Sequence, residues 1–208
     1  MFTDRVDAGR QLAQQLGGTV AVPTVVLGIA RGGVIVGAEI ARVLEAPLDV
    51  VICRKLGAPG NPELGIGAVA PGVRVTDVST LRALGVDDAY LEAETARQVA
   101  EIARRLGAYR RGREPVELAG VSAVVVDDGV ATGVTAIAAL RWARAQAAAT
   151  VIFAAPVGPA GIERRLEGEC DRCVVSVTPG NLRAVGQWYE RFDQTTDDDV
   201  RLALRQAG

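Results

Sequence analysis

The chain has 208 residues, 49% of them hydrophobic, 23% charged and 4% aromatic; that is enough apolar material for one well-buried core, and it excludes a disordered tract, a fibre and a disulfide-stapled miniprotein. With 25 acids against 23 bases the net charge is −2, so no overall positive field exists to hold nucleic acid. No apolar window reaches the roughly 18 to 20 residues of a membrane span, and acids in the opening MFTDRVDAGR stand where a secretory signal needs an apolar run; the chain reads as cytoplasmic, with no membrane partner.

Residues 5–16 (RVDAGRQLAQQL) predict an amphipathic helix ended by Gly17 and Gly18. The β-branched run TVVLGIA at 24–30 stops at Arg31-Gly32-Gly33, helical character resumes over 34–44, and LDVVICR at 48–54 reads as a second buried strand. Together they make a βαβ unit. Residues 56–67 (LGAPGNPELGIG) carry four glycines and two prolines, which predicts a long mobile loop. GAVAPG and VRVT are expected to pair as short strands. Over 87–111, Ala89, Ala93, Ala96, Ala100, Ala103 and Leu106 recur at helical spacing, which predicts a long helix with a narrow apolar stripe. VSAVVV at 121–126 lacks polar alternation beyond Ser122 and suits a central parallel strand buried on both faces. It ends in Asp127-Asp128 and a Gly/Thr-rich turn. A helix near 134–148, a strand at 150–156, a helix near 159–167, a strand at 173–179 and a short helix at 197–206 follow. This alternation predicts an α/β fold: a doubly wound, mainly parallel five-stranded sheet flanked by helices, in one domain.

The sequence holds no histidine, which removes Ser-His, Cys-His and His-metal schemes. Chemistry is left to carboxylates, Arg, Lys, hydroxyls, backbone amides or a bound metal. Cys170 and Cys173 form a C-x-x-C motif and Cys53 stands apart; lacking histidine partners and a helix start, the pair reads as small apolar side chains near a strand. Lys55 is the single lysine among 23 bases, a bias fitting genome composition and worth noting where that lysine falls.

The informative segment is 124–135, VVVDDGVATGVT. A buried strand delivers two carboxylates to the sheet edge, and the turn after it leads into a helix start. There, amides and hydroxyls can converge on a phosphate that the helix dipole favours. The acids cannot bind phosphate, but they can accept hydrogen bonds from neighbouring sugar hydroxyls or reach a hydrated magnesium ion. Neither Gly-Lys-Ser/Thr nor G-x-G-x-x-G occurs here, so this is not a Walker A loop or a dinucleotide fingerprint.

Val124 to Thr135 resembles the signature of the type I phosphoribosyltransferases: four apolar residues, two acids, small residues, then Thr-Gly-x-Thr. The resemblance implies that Asp127 and Asp128 hold the ribose hydroxyls of phosphoribosyl pyrophosphate and meet Mg2+ through water. It also implies that Gly129, Val130, Ala131, Thr132, Gly133, Val134 and Thr135 bind the 5′-phosphate. Ala30, Arg31, Gly32 and Gly33 look like the pyrophosphate loop, with a cis peptide at or next to Ala30-Arg31; alone they would be an ordinary turn. Arg54-Lys55 resembles the entrance to the catalytic loop, where Lys55 would join Arg31 on the pyrophosphate, although two such cations alone would read as solvated surface charge. Residues 56–67 become the candidate lid, with Asn61 and Glu63 as its functional side chains.

The catalytic set implied is Arg31, Lys55, Asp127 and Asp128, and the partners are phosphoribosyl pyrophosphate and a nitrogenous base. Ala131 stands where 6-oxopurine enzymes carry an acid, which disfavours hypoxanthine or guanine. GNPELGIGAV and WYERFDQTTDDDV resemble a bacterial branch of the family without an assigned acceptor. The acceptor is expected between a core of about 21–178 and a hood from about 1–20 and 179–193. Trp188 and Tyr189 are candidates for stacking on it, the alternative being that they anchor the tail. A homodimer is the common family arrangement. The competing expectation is a regulatory protein that keeps the fold to sense phosphoribosyl pyrophosphate or nucleotides without turnover.

Overall fold

The structure, a computed structural model, describes residues 1–18, 20–21 and 23–207; Thr19 and Val22, which flank the expected hood and core boundary, and Gly208 lie outside it. Asp4 caps α1 (Arg5–Leu16) by accepting from the amides of Val6 and Asp7, a polar start that satisfies otherwise orphaned donors. β1 (Thr24–Ile29), α2 (Gly32–Leu44) and β2 (Leu48–Val51) form the expected βαβ unit. β6 (Ser122–Val126), α5 (Val134–Ala145), β7 (Thr150–Val157), α6 (Ile162–Arg165) and β8 (Arg172–Val177) complete the large sheet and its neighbours. All its pairings are parallel, in the order β2-β1-β6-β7-β8.

Alternate residues of these strands feed two cores, which is why the runs lack polar alternation. Val26, Val50, Val124, Val126 and Ile152 pack under α1, α2, a 23-residue helix α4 (Asp88–Arg110) and the C-terminal α7 (Asp197–Gln206). Val25, Leu27, Val125, Val151 and Phe153 pack under α5. The chain turns from β1 to β2 on one side and returns to β6 on the other, so the order reverses between β1 and β6. Crevices at such reversals, outside the carboxyl ends of the strands, are where open α/β sheets bind ligands.

Two expectations are corrected. Residues 56–67 are not a loop: β3 (Arg54–Ala58) and β4 (Asn61–Ala70) form a hairpin that β5 (Val73–Thr76) extends into a three-stranded antiparallel sheet, from which a short helix α3 (Val78–Ala83) leads to α4. The breakers have structural uses. Pro59-Gly60 makes the tight turn, with Gly60 at φ +71°. At the register shift beside Gly57, a Cβ would lie 2.7 Å from the carbonyl oxygen of Pro62, so only glycine lets the strands approach. The predicted strand 48–54 is likewise divided, since β2 ends at Val51 and the chain crosses at Ile52-Cys53 into β3.

The buried face of α4 is also not the alanine stripe. Ala89, Ala93, Ala96, Ala100 and Ala103 are exposed, Leu106 is half-buried, and Leu91, Glu94, Gln98, Ile102 and Tyr109 face inward. Glu94 accepts from the Gly57 amide (3.4 Å), Gln98 Nε2 (2.9 Å) and both Arg97 donors (2.8 Å). Tyr90 Oη donates to the Gly57 carbonyl at 2.9 Å, and Arg54 Nε donates to Gln98 Oε1 at 2.9 Å. Burial acts to raise the Glu94 carboxyl, but these donors outweigh it and hold it below its ordinary value. Glu94→Ala should cost about 1–3 kcal/mol in urea unfolding, the usual penalty for stranding buried donors. Faster amide exchange at Gly57 would accompany it.

Candidate functional site

At the reversal point the ends of β1 and β6 lie side by side, with Gly28 in register with Val126. β1 runs into Ala30-Arg31-Gly32-Gly33, and the Ala30–Arg31 peptide bond is cis, as expected. β6 runs into Asp127-Asp128. The two segments are in contact: a Cβ on Gly32 would lie 1.9 Å from Asp128 Oδ2, and one on Gly33 would lie 2.4 Å from the carbonyl oxygen of Val126. Both glycines are points of close approach, Gly32 to side-chain ends that can be displaced and Gly33 to main chain that cannot.

Two helices start at this edge without a side-chain cap, α2 after Arg31 and α5 after Gly133, whose φ is +77°. Uncapped first turns offer free amides and the positive end of a dipole, the physical basis of an anion site. The amide of Val34 is committed to the Arg31 carbonyl at 3.1 Å, which leaves Gly32 and Gly33 as the forward donors of α2. Ala131 and Thr132 are exposed, Gly129, Val134 and Thr135 half-buried. Val130 corrects the expected set: its side chain is buried and its amide donates to the Val157 carbonyl at 2.9 Å. Ala30 is similar, its amide bonding the Val51 carbonyl at 3.0 Å.

Asp127 accepts the Asp128 amide at 2.9 Å. Burial, and then the negative charge of Asp128, raise the Asp127 carboxyl well above its ordinary value, while the charge of Lys55 on β3 pulls the other way. The Cys53 thiol is buried nearby and pushed up by burial and by Asp127, so it is an inert packing group. A carboxyl that binds its proton more tightly when folded weakens the fold as pH climbs out of the ordinary carboxylate range. Asp127→Asn is thus expected to melt above wild type at pH 7 by calorimetry, and the difference should shrink towards pH 4, where both side chains are neutral.

Asp128 is held from outside the sheet. Arg5 Nε donates to its Oδ2 at 2.7 Å, and Tyr189 Oη donates to its carbonyl at 2.5 Å. Tyr189 is buried, with ring centroids of Phe2 and Phe192 5.5 and 4.8 Å away. This corrects its expected place in a base pocket: Tyr189 anchors the tail to the acidic motif, and Trp188 packs half-buried on the same Phe2 cluster. Neither Arg5 nor the Tyr189 hydroxyl had a local sequence signal, since each acts across long chain separations.

Arg31 lies with Nη1 3.7 Å from Asp197 Oδ1 at the head of α7, an oxygen that also accepts from Tyr109 Oη at 2.6 Å. Burial and this bond raise Tyr109 to about 12. Lys55 is exposed on β3, while Asn61 and Glu63 are exposed near the tip of the β3–β4 hairpin. Cys170 and Cys173 are half-buried free thiols entering β8, packed against the core under α5. Among the described residues no three His, Cys, Asp or Glu side chains cluster to hold a metal, and no helix is long and apolar enough to cross a membrane.

The fold is thus a doubly wound α/β sheet whose switch point sets a carboxylate pair between two uncapped helix starts. The chain belongs to the phosphoribosyl transferase family: the model of the phosphoribosyl transferase domain matches residues 2–181. Two Mycobacterium tuberculosis proteins, from strains CDC 1551 and H37Rv, are named as candidate phosphoribosyl transferases and are each 48% identical to it over 208 residues. The match takes in 100% of this chain and 47% of theirs, so the chain spans about half the length of the curated relatives it matches. The crystal structure of TT1426 from Thermus thermophilus matches with a TM-score of 0.82 at 42% identity, covering 99% of this chain and 98% of that one.

Proposed function

We propose that this protein is a pentosyltransferase that moves the 5-phosphoribosyl group of phosphoribosyl pyrophosphate to a nitrogen nucleophile and releases pyrophosphate. The observation that supports this reading best is the meeting of Asp127 and Asp128 with the uncapped starts of α2 and α5 at one reversal of the sheet. In this reading the two carboxylates accept from the ribose hydroxyls. Amides of Gly129, Ala131, Gly133 and Val134, with amides and hydroxyls of Thr132 and Thr135, hold the 5′-phosphate. Gly32 and Gly33 amides, Arg31 and Lys55 face the pyrophosphate.

The new bond joins the acceptor nitrogen to C1 as the bond from C1 to the pyrophosphate oxygen breaks, and the electron pair leaves with pyrophosphate. Positive charge grows on the sugar ring beside the carboxylates, negative charge on the leaving group beside the cations and amides, so preorganised dipoles favour the transition state over the ground state. Arg31 must exchange Asp197 for the incoming anion, a change its long, half-exposed ion pair permits at small cost. Two adjacent carboxylates are too few to enclose a bare cation but suit the waters of a hydrated Mg2+, which keeps most of its shell. Asp127 and Asp128 would hold that ion through water; bound with the pyrophosphate, it supplies neutralisation of the departing charge. The acceptor enters between the sheet edge and a hood built from about 1–20 and 179–193, and the hairpin tip with Asn61 and Glu63 shields the reacting centre from water.

The test incubates protein, Mg2+ and phosphoribosyl pyrophosphate with a panel of purines, pyrimidines and other nitrogen nucleophiles and measures pyrophosphate. Release that depends on one acceptor is expected. Binding of phosphoribosyl pyrophosphate without release on any acceptor would replace the enzyme with a sensor, and absence of binding would overturn both.

A further inference from the structure

We infer that Arg5 is a positioning residue for the ribose diol, fixing the Asp128 carboxylate through a part-buried ion pair that Phe192 backs. The inference rests on the reading of Asp127 and Asp128 as the diol receptor. Arg5 opens α1, 123 residues from Asp128 in the chain, yet its Nε reaches Asp128 Oδ2 at 2.7 Å. Its Nη1 donates to the Asp193 carbonyl at 2.7 Å, and its guanidinium carbon lies 3.9 Å from the Phe192 ring centroid. Only 13% of the Arg5 side chain and 17% of the Asp128 side chain are exposed. Three contacts of different kinds leave the planar fork one orientation, which a flexible ammonium could not copy.

Gly32 lies against the same Asp128 oxygen that Arg5 bonds, and Tyr189 holds the Asp128 carbonyl. Asp128 is thereby fixed from α1, from the start of α2 and from the tail, whereas Asp127 is held by the adjacent amide of its own segment. A hydroxyl donor arriving at the pair meets a carboxylate that needs no reorientation, the condition for full use of a charge-assisted hydrogen bond. A freely turning Asp128 would give up much of that advantage while leaving the phosphate amides untouched.

Calorimetric titration with ribose 5-phosphate, and with inorganic phosphate as a ligand lacking the diol, separates these contributions. Arg5→Gln should weaken ribose 5-phosphate by roughly 10- to 100-fold, the range for losing a hydrogen bond to a charged group, and leave phosphate affinity unchanged. Arg5→Lys should recover part of the loss. Phe192→Leu keeps the ion pair but removes its backing, and should shift selectivity in the same direction by a smaller factor; it carries the test if Arg5→Gln does not fold. Unchanged or tighter ribose 5-phosphate binding in the variants, or equal loss for both ligands, would overturn the assignment. Wild-type protein that binds phosphate but not ribose 5-phosphate would instead remove the diol reading itself, and the role of Arg5 with it.

Discussion

Replacing Asp127 and Asp128 together by asparagine is expected to lower ribose 5-phosphate affinity by roughly 10²- to 10⁴-fold and to abolish acceptor-dependent pyrophosphate release. Each carboxylate that accepts from a sugar hydroxyl makes a charge-assisted bond of about 1.5–3 kcal/mol, and two such bonds account for that range. Asparagine keeps the size but offers a weaker acceptor and unwanted donors. It also removes the partner of Arg5, leaving a largely buried guanidinium whose remaining contacts are the Asp193 carbonyl and the Phe192 ring. Inorganic phosphate binding should survive, because the first-turn amides of α5 are unchanged. A double variant that bound ribose 5-phosphate as tightly as wild type would end the assignment of these acids.

Gly32→Ala is expected to weaken ligand binding in a protein that still folds. The added Cβ would lie 1.9 Å from Asp128 Oδ2 and 2.7 Å from Arg5 Nε, both side-chain atoms that can swing aside. Folding should lose only about 1–3 kcal/mol, as for other overpacked sites. Ribose 5-phosphate affinity should fall at least roughly tenfold, because the carboxylate must leave its place. Gly33→Ala makes the contrast. Its Cβ would meet main chain, the Val126 carbonyl oxygen at 2.4 Å and Asp127 Cα at 2.9 Å, and neither can yield without separating β6 from α2. Chemical denaturation of the two variants, with ligand titration of whichever folds, checks the pair. Equal stability losses in both would mean that the Asp128 carboxylate is no freer to move than the main chain.

The large sheet was legible because its strands are short β-branched runs feeding a core on both faces, a pattern that survives without any knowledge of neighbours. The acidic motif was legible for a related reason: strand, carboxylates, glycine turn and helix start are contiguous in sequence, so local chemistry states the geometry. Three features were not. Residues 56–67 read as a loop because glycine weakens a strand on average, whereas at Gly57 the deciding fact is the nearness of Pro62. The α4 face was misread because exposed alanine methyls cost little, while the inward side includes Glu94 and Gln98, whose partners Gly57 and Arg54 lie about 40 residues away. Arg5 and Tyr189 reach Asp128 from the two ends of the chain, a convergence that no window along the sequence contains.

At the starts of α2 and α5 no side chain caps the helix, and the groups turned outward are main-chain amides. Of the bases in this chain all but Lys55 are arginine, a bias that fits genome composition acting on side chains throughout the protein. A grip on anions made from main-chain amides is shielded from such a bias, since no codon change short of proline deletes an amide proton. Nor does it titrate anywhere in the range a cell encounters. On the proposed reading, the part of the site that favours negative charge would persist unaltered while the side chains around it change, so acceptor preference could shift without rebuilding the hold on the phosphoribosyl donor.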